Sequence, residues 1–334
     1  MKMDRRSWIQ SALGCLAAAR AGLTPAAEPA PSPSPSNGWF AHQHVPIGLQ
    51  LYTVGDDARR DLDGTLARVA GIGYRTVELA GYHGHPVATL REAAARHGIK
   101  FTSIHVSATA QGSEPGLDQD LPRLAADLHA LGVTDVVLPM LPFPGRLGAQ
   151  RQGESFGNYV GRMGKGLTRE DWQRVAALLN DRGARLRAQG LRFSYHNHNP
   201  EFAPLGDSNG LEVLLAETSS PDVVFELDVG WAAAGGVDPV ALLQKHGRRF
   251  QLMHVKDILA STHTNYALQQ DPAAVGDGSL DWKRLLPAAF AAGVRKFYVE
   301  QEPPFATDRY TAIERSYRYL RAFDVHAGAA GILA

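Results

Sequence analysis

From residue 46 onward the chain alternates short, β-type apolar runs with longer stretches in which apolar residues recur every three or four positions. The short runs are 47–53 (IGLQLYT), 75–80 (RTVELA), 100–106 (KFTSIHV), 134–140 (TDVVLPM), 191–198 (LRFSYHNH), 223–229 (VVFELDV), 250–256 (FQLMHVK) and 296–302 (KFYVEQE). Helical patterns lie between them, for instance 117–131, 169–189, 239–246 and 282–292. Gly98, Gly132, Gly190 and Gly293 stand where a helix would end before the next strand begins, as in repeated βα units. The pattern predicts an α/β protein: one (β/α)8 TIM-barrel domain over residues 45–325. An open doubly wound sheet would carry a Gly-rich phosphate loop after its first strand, and none follows Tyr52. The longest irregular stretches, about 141–167 and 257–279, follow the fourth and seventh strands, on the face where barrel active sites form.

Polarity breaks the apolar pattern at the strand ends. Gln50, Glu78, His105, His196, His198, Glu226, Asp228, His254, Lys256, Glu300 and Glu302 all fall there. Side chains alternate between faces along a strand, so His196/His198, Glu226/Asp228, His254/Lys256 and Glu300/Glu302 are same-face pairs. Burying so many charges without partners would cost several kcal/mol each, and a bound cation offsets that cost most simply. A His, Asp, His and Glu set suits Mn²⁺ or Co²⁺ first, with Zn²⁺ and Mg²⁺ as alternatives.

Composition narrows the classes. Lys+Arg and Asp+Glu both number 34, so the formal charge is zero, which argues against a nucleic-acid binder. No run of about 20 apolar residues predicts a membrane span. Arg5-Arg6 before the apolar run 12–19 reads as a twin-arginine export signal over residues 1–27, giving a periplasmic address where sugar phosphates are scarce. A lipid anchor at Cys15 is the weaker reading, because Ala12 is the wrong first residue for a lipobox. Residues 28–44, with the Pro/Ser stretch PAPSPSPSNG, are read as a linker. Cys15 is the single cysteine, so a mature chain without it has no disulfide, thiolate ligand or thiol nucleophile.

The segments GLQLYTV (48–54), GYRTVELAG (73–81), SYHNHNPEF (194–202), ELDVGW (226–231), HVKD (254–257), VGDGSLDW (275–282) and YVEQE (298–302) resemble the xylose-isomerase-like barrel superfamily of sugar phosphate isomerases and epimerases, across about residues 46–322. The resemblance implies one divalent metal held by strands five to eight, through His196, Asp228, His254 and Glu300. The family's usual strand-five ligand is Glu, and His196 stands in its place; His198 is the competing choice. In the family's 3-epimerases that Glu is one of two acid/base carboxylates, so the substitution weakens a symmetric two-carboxylate mechanism. The implied chemistry is proton abstraction beside a carbonyl of an unphosphorylated sugar or keto-sugar. Glu300, Glu302, His198 and His105 are the candidate bases, and Lys256 is a candidate to steady negative charge. Gln50, Tyr52 and Glu78 are candidates to grip hydroxyls, and Trp231 to stack on a sugar face. Isomerisation or epimerisation is the first expectation; loss of a β-substituent from a 3-keto-glycoside, by a lyase or dehydratase, is the second. A non-catalytic sugar-binding protein and a multi-metal nuclease are the readings from other classes. Homo-oligomer formation is left open.

Overall fold

A computed structural model describes residues 38–325; the signal-peptide and lipid-anchor readings lie outside them. Eight parallel strands close into one barrel. They are β1 (Ile47–Gln50), β2 (Thr76–Ala80), β3 (Lys100–His105), β4 (Asp135–Leu138), β5 (Arg192–His196), β6 (Val224–Asp228), β7 (Phe250–Val255) and β8 (Lys296–Val299). Each is followed by a helix: α1 (Leu62–Ile72), α2 (Val87–Arg96), α3 (Leu121–Leu131), α4 (Arg169–Ala188), α5 (Gly210–Glu217), α6 (Pro239–His246), α7 (Trp282–Ala292) and α8 (Arg309–Ala322). Registers such as Leu49↔Val299 and Gly48↔Thr76 join β1 to both β8 and β2, closing the ring. Gly98, Gly132, Gly190 and Gly293 all adopt positive φ at the helix ends, as their spacing predicts.

The pleat separates two apolar regions. Outward residues such as Phe225, Met253, Val255, Phe297 and Val299 join the large core beneath the helices. Inward-facing Val137, Val224, Leu252 and Tyr298 form a separate small cluster inside the barrel. The next inward positions are Glu226 on β6, His254 on β7 and Glu300 just past β8, so the apolar plug ends where the polar mouth begins. At the opposite end buried Asp135 takes ion pairs from Arg192 and Lys296, which seals the barrel floor.

Two boundaries differ from those the sequence predicts. The strands stop sooner: after Gln50 the chain tightens into a 3₁₀ turn over Leu51–Val54, and β8 ends before Glu300. The functional positions 198, 256, 300 and 302 therefore lie on the loops just past the strands. The domain also begins earlier than residue 45. Trp39–His42 is helical, Trp39 and Phe40 are buried, and Trp39 N–H donates to Phe323 O at 2.8 Å. Trp39 and Phe40 each make an edge-on aromatic contact with Phe297 on β8, which packs this start against the barrel.

The two long loops are built, not irregular throughout. The first carries a helix, Phe156–Lys165, capped by Ser155. The second opens on a short antiparallel ribbon, Asp257–Ile258 with Pro272–Ala273. Asp257 gathers this loop by accepting from the N–H groups of Gly276, Gly278 and Leu280 and from Trp282 Nε1.

Candidate active site at the barrel mouth

The mouth has two polar layers. In the lower one, three imidazole nitrogens converge on Glu226 Oε2: His196 Nδ1 at 3.0 Å, His105 Nε2 at 3.1 Å and His254 Nε2 at 3.2 Å. Glu78 Oε1 takes Gln50 Nε2 at 2.8 Å, His254 Nε2 at 2.7 Å and His105 Nε2 at 3.1 Å. A carboxylate only accepts, so both His254 nitrogens carry protons here, Nε2 toward Glu78 and Glu226 and Nδ1 toward the upper layer, where a cation would replace the Nδ1 proton. Burial pulls against a charge on His105, but Glu78 and Glu226 outweigh it and raise its pKa to about 9.

The upper layer is a knot of charge. His254 Nδ1 lies 3.0 Å from Glu300 Oε2 and 3.6 Å from Asp228 Oδ2. Lys256 Nζ touches Asp228 Oδ2 at 2.9 Å, Glu300 Oε2 at 2.7 Å and Glu302 Oε1 at 2.7 Å. Burial works against the ammonium, yet Asp228, Glu300 and Glu302 hold its pKa well above the ordinary lysine value. Lys256 also sits 4.9 Å over the Trp231 ring, and Trp231 Nε1 donates to Glu302 Oε1 at 3.2 Å. Asp228 is fixed on both sides: its Oδ1 caps the helix Val229–Ala234 through Trp231 N at 2.8 Å, and its backbone is clasped by Asn197.

Above these lies a cavity of about 450 Å³, within the usual range of small-molecule sites. Tyr52, His105, His196, His198, Glu300 and Glu302 supply much of its polar lining. His198 is held neutral, with its pKa lowered to about 3 by burial and then by the Lys256 charge, and its Nδ1 has no hydrogen-bond partner. Its backbone N–H is anchored on buried Glu201, which also accepts from Tyr195 Oη at 2.6 Å.

The structure thus sorts the residues singled out from sequence. His105, His196, His198, Glu300, Glu302, Tyr52 and Trp231 reach the cavity. Gln50 and Glu78 do not: both are fully buried one layer below, where the register pairs them, so a role in gripping substrate hydroxyls is replaced by one of holding His254 and His105. Lys256 is likewise absent from the lining and lies behind the two glutamates. Trp231 is buried and spends its ring on Lys256 and its N–H on Glu302, so stacking on a sugar is not its main contact.

The donor chemistry fits a divalent cation. Among the described residues, Asp228, His254 and Glu300 offer ligand atoms all within 4.8 Å of one another, and His105, His196, Glu226 and His254 form a second such group. Asp228 Oδ2 is buried without a well-aligned hydrogen bond, although the ammonium is near. His196, expected as the fourth ligand, groups with Glu226 and stands 4.0 Å from Asp228 Oδ2 through Nε2. Glu226, a member of a same-face pair but not among the candidate site residues, is the hub of the lower layer. Asn197 and Glu201 had no signal as supporting residues.

A closed parallel barrel with buried imidazoles and carboxylates at its C-terminal mouth is the layout of a TIM-barrel enzyme. The chain belongs to the xylose isomerase-like TIM barrel family, whose model matches residues 66–323. It is similar to an inosose dehydratase of Geobacillus thermodenitrificans, 28% identical over 168 residues, an alignment covering 46% of this chain and 55% of that one. The chain thus spans about half the length of this curated relative. Among solved structures, a sugar phosphate isomerase/epimerase from Parabacteroides distasonis superposes with a TM-score of 0.63 at 24% identity, covering 84% of this chain and 95% of that one. An IOLI protein with a bound zinc atom superposes with a TM-score of 0.58 at 16% identity, covering 83% of this chain and 98% of that one. These two likenesses show the fold. Among the described residues no helix is long and apolar enough to cross a membrane.

Proposed function

We propose that the protein is a sugar-modifying enzyme that removes a proton beside the carbonyl of an unphosphorylated keto-sugar or cyclic keto-polyol and then expels a β-substituent, a lyase or dehydratase. The observation that carries this is the state of the three carboxylates lining the cavity. Glu114 is used up by the backbone N–H groups of Tyr82 and Gly84. Glu300 is tied through Oε2 to His254 and Lys256, whose charges overcome its burial and hold its pKa well below the usual carboxylate range, so it is a weak base. Glu302 has both its contacts on one oxygen, and burial raises its pKa, followed by repulsion from Glu300 and opposed by Lys256.

A single carboxylate suffices for elimination. Glu302 takes the proton from the carbon beside the carbonyl, the bond from the β-carbon to its oxygen breaks, and the electron pair leaves on that oxygen. The same carboxyl returns the proton to it, giving an unsaturated ketone and an alcohol or water. Epimerisation needs a second base on the opposite face, and His196 on β5 has Nδ1 on Glu226 and Nε2 toward Asp228. Asp228, His254 and Glu300, with His196 nearest as a fourth donor, would hold a divalent ion such as Mn²⁺ or Co²⁺, which when bound polarises a carbonyl oxygen. Lys256 keeps Glu300 and Glu302 apart and in place, while neutral His198 offers a hydrogen bond to a substrate oxygen. The relative's name, inosose dehydratase, points to the same reaction class. The cavity lining holds no Lys or Arg to meet a phosphate. The Arg5-Arg6 leader adds the reading that the enzyme works in the periplasm.

Proton NMR in deuterated water tests this with a panel of keto-sugars and 3-keto-glycosides, with and without Mn²⁺. An unsaturated ketone is expected, with solvent deuterium at the carbon beside the carbonyl in the recovered substrate where deprotonation reverses. A deuterated epimer or isomer would replace elimination with the isomerase or epimerase outcome; unlabelled substrate with no product would remove the enzymatic reading. Glu302→Gln should lower kcat/KM by about 10²–10⁴-fold. Because a base must be deprotonated, the acid limb of the wild-type profile should fall at a pH above the ordinary Glu pKa, about 4.3. A midpoint at or below that value would remove Glu302 from the role. Glu78→Gln should weaken Mn²⁺ binding by about 10–100-fold in a direct titration, since the amide no longer fixes the His254 tautomer; unchanged affinity would limit Glu78 to packing.

A further inference from the structure

Three large apolar side chains are exposed among the described residues, and two of them line this one cavity: Tyr52, 54% exposed, and Phe156, 52% exposed. The third, Leu259, lies elsewhere. Scattered apolar residues on a surface need no explanation, but convergence on a single opening does. Tyr52 comes from the turn after β1 and Phe156 from the loop after β4, three strands away round the ring. Met140, Pro115 and Leu268 add to the same wall.

Phe156 is held there by construction. It opens the helix Phe156–Lys165, which presses on the second long loop through two glycines one turn apart. A Cβ on Gly157 would come within 2.7 Å of Ala267 O, and one on Gly161 within 2.7 Å of Ala267 Cβ. That loop is in turn pinned to the end of β5. Buried Asn199 donates to Asn265 O at 2.9 Å and Asn265 Oδ1 at 2.8 Å, and accepts from Leu268 N at 3.1 Å. The two long loops interlock, and the result presents an exposed phenyl ring at a cavity whose inner lining is polar.

One aromatic ring can stack on the C–H face of a sugar, but two exposed rings beside Met140, Pro115 and Leu268 offer more apolar surface than that face covers. We propose that the outer cavity is a subsite for a flat, apolar substituent carried by the sugar, so that the substrate is a glycoside with an aromatic or similarly planar aglycone. The inference rests on the elimination reading in one respect: the aglycone oxygen is then the leaving group, departing as the phenol or alcohol with the proton returned by Glu302. Binding itself does not depend on that chemistry.

The test is therefore a binding measurement. Isothermal titration of the full chain with 4-nitrophenyl and methyl pyranosides of matched configuration, and with 4-nitrophenol alone, separates the contributions. The aryl glycoside is expected to bind at least tenfold more tightly than the methyl glycoside and than free 4-nitrophenol. Tyr52→Ala and Phe156→Ala should each remove about threefold to tenfold of that preference, as expected for loss of one aromatic contact. Leu259→Ala should leave it intact. Equal affinity for aryl and methyl glycosides, no binding of either, free nitrophenol binding as well as its glycoside, or a preference that survives in the double variant would each overturn the subsite. An aryl preference with neither deuterium exchange nor an unsaturated product from any keto-sugar would leave the subsite standing and reject the elimination chemistry.

Discussion

Replacing Asp228 with asparagine is expected to strip the protein of its divalent ion and lower turnover by about a thousandfold or more, a loss typical of a group that acts on transition-state charge. Asparagine is the informative choice. Asp228 Oδ1 accepts from Trp231 N–H at 2.8 Å, and an amide oxygen keeps that cap while the charge is removed. The helix Val229–Ala234 should therefore stay in place, and circular dichroism should be unchanged. His254→Ala should have the same effect on metal content with a larger loss of stability, because it also leaves Glu78 and Glu226, both fully buried, with His105 alone to bridge them. Elemental analysis after gel filtration in Mn²⁺ provides the check: about one ion per chain is expected for the wild type, and less than about a tenth of that for either variant. A normal metal content in Asp228→Asn would show that the ion is held by the other group, His105, His196, Glu226 and His254.

The difference between these two groups also shows what the sequence could and could not convey. Period-two alternation was enough to place Glu226, Asp228, His254, Lys256, Glu300 and Glu302 on the inner face, because parity along a strand is a local property. Depth along the barrel axis is not local. It depends on where each strand enters the ring and how it is staggered against its neighbours, as in the register shifts between Phe225/Glu226 and between Val77/Glu78. Gln50 and Glu78 therefore read as mouth residues but lie one layer below it. The same ignorance of depth hid Glu226, whose sequence context is no different from that of Asp228. Asn197, Asn199 and Glu201 act largely on backbone groups of neighbouring segments, and nothing in a linear pattern marks such a role. Phe156 was invisible for a further reason: its position depends on Gly157 and Gly161 meeting Ala267, more than a hundred residues away in sequence.

Lys256→Met is expected to destabilise the protein by roughly 3–5 kcal/mol, the usual cost of removing one partner from a buried ion pair, and so to lower Tm by about 10 °C or more. Methionine fills similar volume, so a cavity contributes little. The cost comes from Asp228, Glu300 and Glu302, which all lie within 2.9 Å of the ammonium and lose it together. The pH dependence has a definite sign. Without the lysine, the folded-state pKa values of Glu300 and Glu302 rise, so the folded form retains protons that the unfolded chain has released. Stability is then lost as pH increases, and the deficit relative to the wild type should shrink as pH falls towards about 5. The same substitution frees Asp228 Oδ2 and Glu300 Oε2 from their competing cation while leaving His254 in place. Saturating Mn²⁺ should therefore raise Tm more in the variant than in the wild type, because only the variant lacks an internal cation at that position. Scanning calorimetry of both proteins, with Mn²⁺ and with chelator, reads the comparison directly. An equal Mn²⁺ shift in the two would mean that Lys256 and the divalent ion do not share these carboxylates, and the assignment of Asp228 and Glu300 as ligands would have to be withdrawn.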